Sequence, residues 1–100
     1  MALPELSEQD RNWYILKGYE ITESNYWRTF ILNGHAHRED GPAMESTYGD
    51  RIYYRHGVWH REDGACSESS SGPRYWALNG KVMTEKEHRK AVQEMKIDVT

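Results

Sequence analysis

Asn33-Gly34-His35-Ala36-His37-Arg38-Glu39-Asp40-Gly41-Pro42-Ala43 returns as His56-Gly57-Val58-Trp59-His60-Arg61-Glu62-Asp63-Gly64-Ala65, and Asn79-Gly80 opens a third copy. The anchor glycines at 34, 57 and 80 recur every 23 residues. A fixed period in this range marks stacked supersecondary units, each too small to bury an apolar face alone. Asn-Gly between strand-like runs is the strongest short hairpin signal, because both residues tolerate positive φ. Asp40-Gly41-Pro42 and Asp63-Gly64 mark a second turn, and Tyr48-Gly49-Asp50 and Ser71-Gly72-Pro73 a third. Each unit is therefore expected to run as a strand, a tight turn, a short returning strand, an Asp-Gly turn and a third short strand. The expected fold class is mainly β, an antiparallel meander of β-hairpin repeats with period 23. The repeats are placed at 12–83 of a single domain, 1–100, with a C-terminal α-helix capping them at 84–96.

Toward the N-terminus, Ser7-Glu8-Gln9-Asp10 suits a short helical turn, with Ser7 as N-cap and acids in the first turn. Trp13-Tyr14-Ile15-Leu16-Lys17-Gly18 reads as a strand ending in a glycine turn, a shortened first copy of the unit. Toward the C-terminus, Thr84-Glu85-Lys86-Glu87 is a capping box. His88, Ala91, Val92 and Met95 then fall on one helical stripe, and the tail 96–100 is expected to fray or add a short strand. Ser67 to Ser71 fits a poor edge strand or surface loop.

Strand alternation places Tyr14, Phe30, Tyr53 and Trp76 in one phase, followed two residues on by Leu16, Leu32, Arg55 and Leu78. The opposite phase is also largely apolar, so a helix, sheet curvature or a second subunit must cover it. That face is the basis for expecting a homodimer.

The chain has 4 Trp, 7 Tyr and 1 Phe, rings that suit half-buried strands and binding surfaces. One cysteine, Cys66, excludes an intramolecular disulfide and favours a reducing setting. The first residues lack the basic and apolar regions of a secretion signal, and no apolar run approaches the ~18 residues of a membrane span. A cytoplasmic protein without membrane contact is expected. With 13 basic against 16 acidic residues, interleaved, the net charge of −3 argues against gripping duplex nucleic acid and against mimicking it.

The string Phe30-Ile31-Leu32-Asn33-Gly34 through His37-Arg38-Glu39-Asp40-Gly41-Pro42-Ala43 resembles a repeat in small proteins of tailed phages and prophage-bearing bacteria. In those, Trp-Tyr-Leu-Asn-Gly-Lys-x-His-Arg-x-Asp-Gly-Pro-Ala recurs and a Thr-Glu-x-Glu helix closes the array. Residues 12–95 follow that plan. The resemblance implies a phage context and no particular reaction. A weaker similarity to MORN repeats lies in the period. Departures concentrate in the middle unit, at His56, Trp59, Ala65 and Cys66.

Recurrence of the whole string makes His37, Arg38, Asp40, His60 and Asp63 a structural turn network, each histidine bonding across its own Asp-Gly turn. The alternative is a zinc site at His35 and His37, which point the same way on a strand. Acids beside histidines suit acid–base chemistry, yet Asp before Gly is an ordinary turn former, so no catalytic residue and no cofactor is assigned. Cys66 reads as a small buried or surface thiol rather than a nucleophile. The function expected is non-catalytic binding and inhibition of a host protein, such as a bacterial defence complex, through Tyr54, Arg55, Trp59 and Arg61. Sequestration of a nucleotide signal on Tyr53, Tyr54, Trp59, Tyr75, Trp76 and the arginines is the second reading.

Overall fold

The computed structural model describes residues 3–97. It is mainly antiparallel β with a helix at each end of the chain. The order is α1 (Glu8–Leu16), β1 (Tyr19–Glu23), β2 (Trp27–Leu32), β3 (His35–Ala36), β4 (Met44–Ser46), β5 (Arg51–Ile52) and β6 (Tyr54–Arg55). It continues with β7 (Val58–Trp59), β8 (Ser67–Glu68), β9 (Trp76–Leu78), β10 (Lys81–Met83) and α2 (Glu85–Ile97). The main sheet runs β1-β2-β4-β5-β8, with β3 pairing the far half of β2. β6–β7 and β9–β10 are separate hairpins, and a bridge from Ser67 to Tyr75 links β8 to the start of the last one.

Three of the tight turns share one backbone solution. Asn33 and Gly34 have φ of 53° and 79°, His56 and Gly57 51° and 84°, Asn79 and Gly80 50° and 83°. Two successive positive φ values are what a type I′ hairpin turn requires. His56 adopts this conformation without being Asn or Gly.

Backbone bonds in one segment have counterparts in the next. Phe30 N–H donates to Ala43 (2.8 Å) and Tyr53 N–H to Cys66 (2.7 Å). Ala43 N–H donates to Ile52 (2.9 Å) and Cys66 N–H to Tyr75 (2.7 Å). Gly57 N–H reaches the Ala36 carbonyl (2.9 Å) and Gly80 N–H that of Trp59 (2.8 Å). Segments 28–43 and 51–66 therefore bond alike. Next to these crossings the core is narrow, and Ala43, Cys66 and Ala77 are fully buried beside Phe30. Burial pushes the Cys66 thiol up, against thiolate chemistry.

The structure corrects the expected strand at 13–18. Ser7 accepts the Asp10 N–H (3.0 Å), Glu8 and Asp10 sit in the first turn, and the helix runs to Leu16 before Gly18 turns the chain at φ 93°. The contiguous apolar run Trp13 to Leu16 hid a helix that buries only Tyr14. The missed first strand lies just beyond, where Tyr19–Glu23 pairs with Leu32–Arg28 along its length. The β part of the chain therefore starts at 19 and not at 12.

The capping box forms as read: Glu87 N–H donates to the Thr84 hydroxyl (3.1 Å) and Thr84 N–H to the Glu87 carboxylate (2.9 Å). These bonds hold the Glu87 carboxyl below its usual range. α2 does not cover a whole sheet face. It packs on the β9–β10 end through His88 and Val92, while Met95 is 45% exposed. α1 covers the other end, its Tyr14 ring 4.8 Å from Phe30 and 5.2 Å from Tyr19. The expectation for the tail at 98–100 lies outside the described residues. Among the described residues no helix is long and apolar enough to cross a membrane.

Candidate binding surface around the central hairpin

The two His-Arg-Glu-Asp-Gly corners use their side chains in parallel. His37 Nδ1 accepts the backbone N–H of His56 (2.9 Å), and His60 Nδ1 accepts that of Asn79 (2.9 Å). Each histidine thus binds the first turn residue of the following hairpin. The expected bond across its own Asp-Gly turn is replaced by this longer reach. With Nδ1 accepting, the neutral ring carries its proton on Nε2, which faces Glu39 at 3.5 Å in one corner and Glu62 at 3.4 Å in the other.

The arginines lie flat on the strand aromatics. Arg38 stands 4.1 Å over the Phe30 ring and Arg61 3.8 Å over Tyr53. Arg38 donates to the Pro42 carbonyl (3.2 Å) and Arg61 to that of Ala65 (3.0 Å), closing each corner. Arg38 also meets Asp40 (3.2 Å), and Arg61 meets Glu68 (2.7 Å). Arg61, expected on the contact surface, is therefore held in its corner.

Tyr54, Arg55 and Trp59 do share one hairpin. Tyr54 opposes Trp59 and Arg55 opposes Val58. The Trp59 ring lies 5.5 Å from Tyr75, so Tyr54, Trp59 and Tyr75 gather as a half-exposed aromatic patch. Tyr75 was legible only as a ring in the nucleotide reading. Its ring contact with Trp59, 16 residues away, has no local signal. Asp63 is exposed.

The alternative metal pair does not converge. His37 is 1% exposed with its Nδ1 lone pair engaged, while the His35 ring lies against Gly57, where a Cβ would come within 3.0 Å of its Nδ1. Among the described residues no group of three His, Cys, Asp or Glu side chains is placed to hold a metal ion.

Burial lowers the His37 pKa from its ordinary 6.5, with Glu39 opposing the shift. Protonation would put a hydrogen on Nδ1, where the His56 N–H needs a lone pair. The unfolded chain therefore binds this proton more readily than the folded one. Stability is complete above about pH 6.5 and falls as pH drops toward the depressed value. We expect the urea midpoint to be lower at pH 5.5 than at 7.5, and His37→Asn to flatten that slope. Glu23, held down chiefly by Arg11, loses its contribution only below its ordinary 4.5, so the two windows separate. Equal slopes in wild type and His37→Asn would contradict the assignment.

Comparison with protein-family models, with curated proteins and with solved structures returns no match.

Proposed function

We propose that residues 19–83 are a hairpin-repeat array of period 23 and that the chain is a non-catalytic binding protein. In this reading it is of phage or prophage type, acts in the host cytoplasm, and inhibits a host protein such as a defence complex. One observation carries the binding reading. The corner histidines and arginines are spent on holding neighbouring segments together, while Tyr54, Trp59 and Tyr75 gather at the surface. Aromatic rings of this kind dominate interface hot spots. The phage context rests on the Asn-Gly to Pro-Ala motif alone.

Affinity capture from a bacterial lysate tests it. Wild type should retain a discrete host protein, and Trp59→Ala should lower the yield at least about tenfold, as expected for a hot spot. Equal capture by both would overturn the surface assignment. A nucleotide is the weaker reading, because Arg61, one of the arginines it would use, already pairs with Glu68. A melting point raised by any nucleotide would reverse that ranking. A homodimer through the apolar face belongs to the same proposal, and light scattering reads it directly.

A further inference from the structure

The chain carries a worked example of how one of its own corners binds a side chain. Helix α1 delivers Tyr14 onto Phe30, and burial raises the phenol's pKa. The Tyr14 hydroxyl accepts from Arg38 Nε (3.0 Å) and donates to the Asp40 carboxylate (3.0 Å). Ring floor, stacked guanidinium and carboxylate thus form a phenol subsite, and Phe30 beneath it is 0% exposed.

The second corner repeats that set as Tyr53, Arg61 and Asp63. Arg61 lies over Tyr53 as Arg38 does over Phe30, and closes its turn on Ala65 as Arg38 does on Pro42. α2 reaches only the other side of this corner, where His88 meets the Arg61 carbonyl, so no helix residue lines the cleft and its preceding wall is the loop Arg38 to Gly41. A cleft of about 310 Å³ remains, lined by Tyr53, Arg55, Arg61 and Asp63 among others. Tyr53 stays half-exposed, and among the described residues no side-chain hydrogen bond or ion pair reaches the Asp63 carboxylate or the Arg55 guanidinium.

We propose that this cleft receives a tyrosine side chain from a segment of a partner protein, its phenol donating to Asp63 and accepting from Arg61. The seated Tyr14 argues for that occupant. The four carboxylates Glu39, Asp40, Glu62 and Asp63 outnumber the guanidiniums of Arg38, Arg55 and Arg61 in the lining, and Arg38 and Arg61 already pair with Asp40 and Glu68, so a neutral phenol suits the cleft better than a phosphate. Arg55 stands where the flanking units carry Leu32 and Leu78, and offers the segment's backbone carbonyls a donor.

The cleft lies apart from the Trp59–Tyr75 patch, so the two assignments fail separately. N-acetyl-L-tyrosinamide and N-acetyl-L-phenylalaninamide are titrated into isotope-labelled protein and followed by amide shifts. The tyrosine compound should move residues 38–41 and 53–63 and bind about tenfold tighter, because a hydroxyl on a charged acceptor is what separates the two. Asp63→Ala, which removes the acceptor, should bring it down to the phenylalanine level, and Tyr48→Ala, exposed and outside the cleft lining, should leave it unchanged. Equal affinities, shifts outside the cleft, or none up to the solubility limit would overturn the proposal.

Discussion

Replacing His37 by Ala is expected to lower the melting point by about 15 °C, corresponding to about 3 kcal/mol in a domain of this size. Two losses combine. The ring is 1% exposed, packed 4.2 Å from His56 and 6.2 Å from Tyr19, so its removal opens a cavity that strand-bound neighbours cannot fill. The His56 N–H also loses its acceptor, at a residue already held at φ 51°. That bond is part-buried, so losing its acceptor costs more than losing a surface bond. His37→Asn places an amide oxygen near the position of Nδ1 and should recover part of the loss. His60→Ala removes the same kind of bond, to Asn79, and should behave similarly. His35→Ala, exposed, should stay within about 0.5 kcal/mol. If His35 and His37 proved equally costly, the histidine would not be the tie between adjacent hairpins.

What the sequence made legible follows how local each signal is. Asn33-Gly34 and Asn79-Gly80 dictate their own backbone, and Thr84 with Glu87 closes a helix end within four residues. These elements formed as read. The recurring His-Arg-Glu-Asp-Gly string identified the corners as scaffolding, but not their partners. His37 reaches 19 residues ahead, a distance at which no spacing rule names the acceptor or the donor. The start of the N-terminal helix was read at Ser7, but its continuation was taken for a strand because Trp13-Tyr14-Ile15-Leu16 is apolar all round, a pattern that cannot separate a short strand from a helix. Three of those four side chains proved exposed, so the period that would have revealed the helix was absent. Of the residues proposed for a binding surface, Tyr54, Arg55 and Trp59 came together because they share a hairpin, while Arg61 lies in its own corner against Glu68, Ala65 and the Tyr53 ring.

Arg28 was given no role by pattern, yet its loss should rank beside that of His37. Its side chain, 4% exposed, donates from Nε to Glu23 (3.2 Å), from one terminal nitrogen to Glu45 (3.0 Å), and from the other to the Pro4 carbonyl (2.6 Å). One guanidinium thus ties β1, β4 and the segment before α1 to the start of β2. Arg28→Ala strands the Glu45 carboxylate and the Pro4 carbonyl, leaves Glu23 with Arg11 alone, and opens a void. Breaking a buried pair costs several kcal/mol, but Glu23 and Glu45 keep 40% and 20% of their side-chain exposure and can rehydrate. About 2–3 kcal/mol is therefore expected, below the cost of a dry pair. Arg28→Met fills the volume without the charge and separates packing from pairing, and Glu45→Ala in the same background gives the coupling. Because Pro4 is anchored here and Tyr14 follows on the same stretch, amide exchange in α1 should quicken more than in α2. A loss under about 0.5 kcal/mol, or equal acceleration in both helices, would mean that Tyr14 alone holds the N-terminal segment on the sheet.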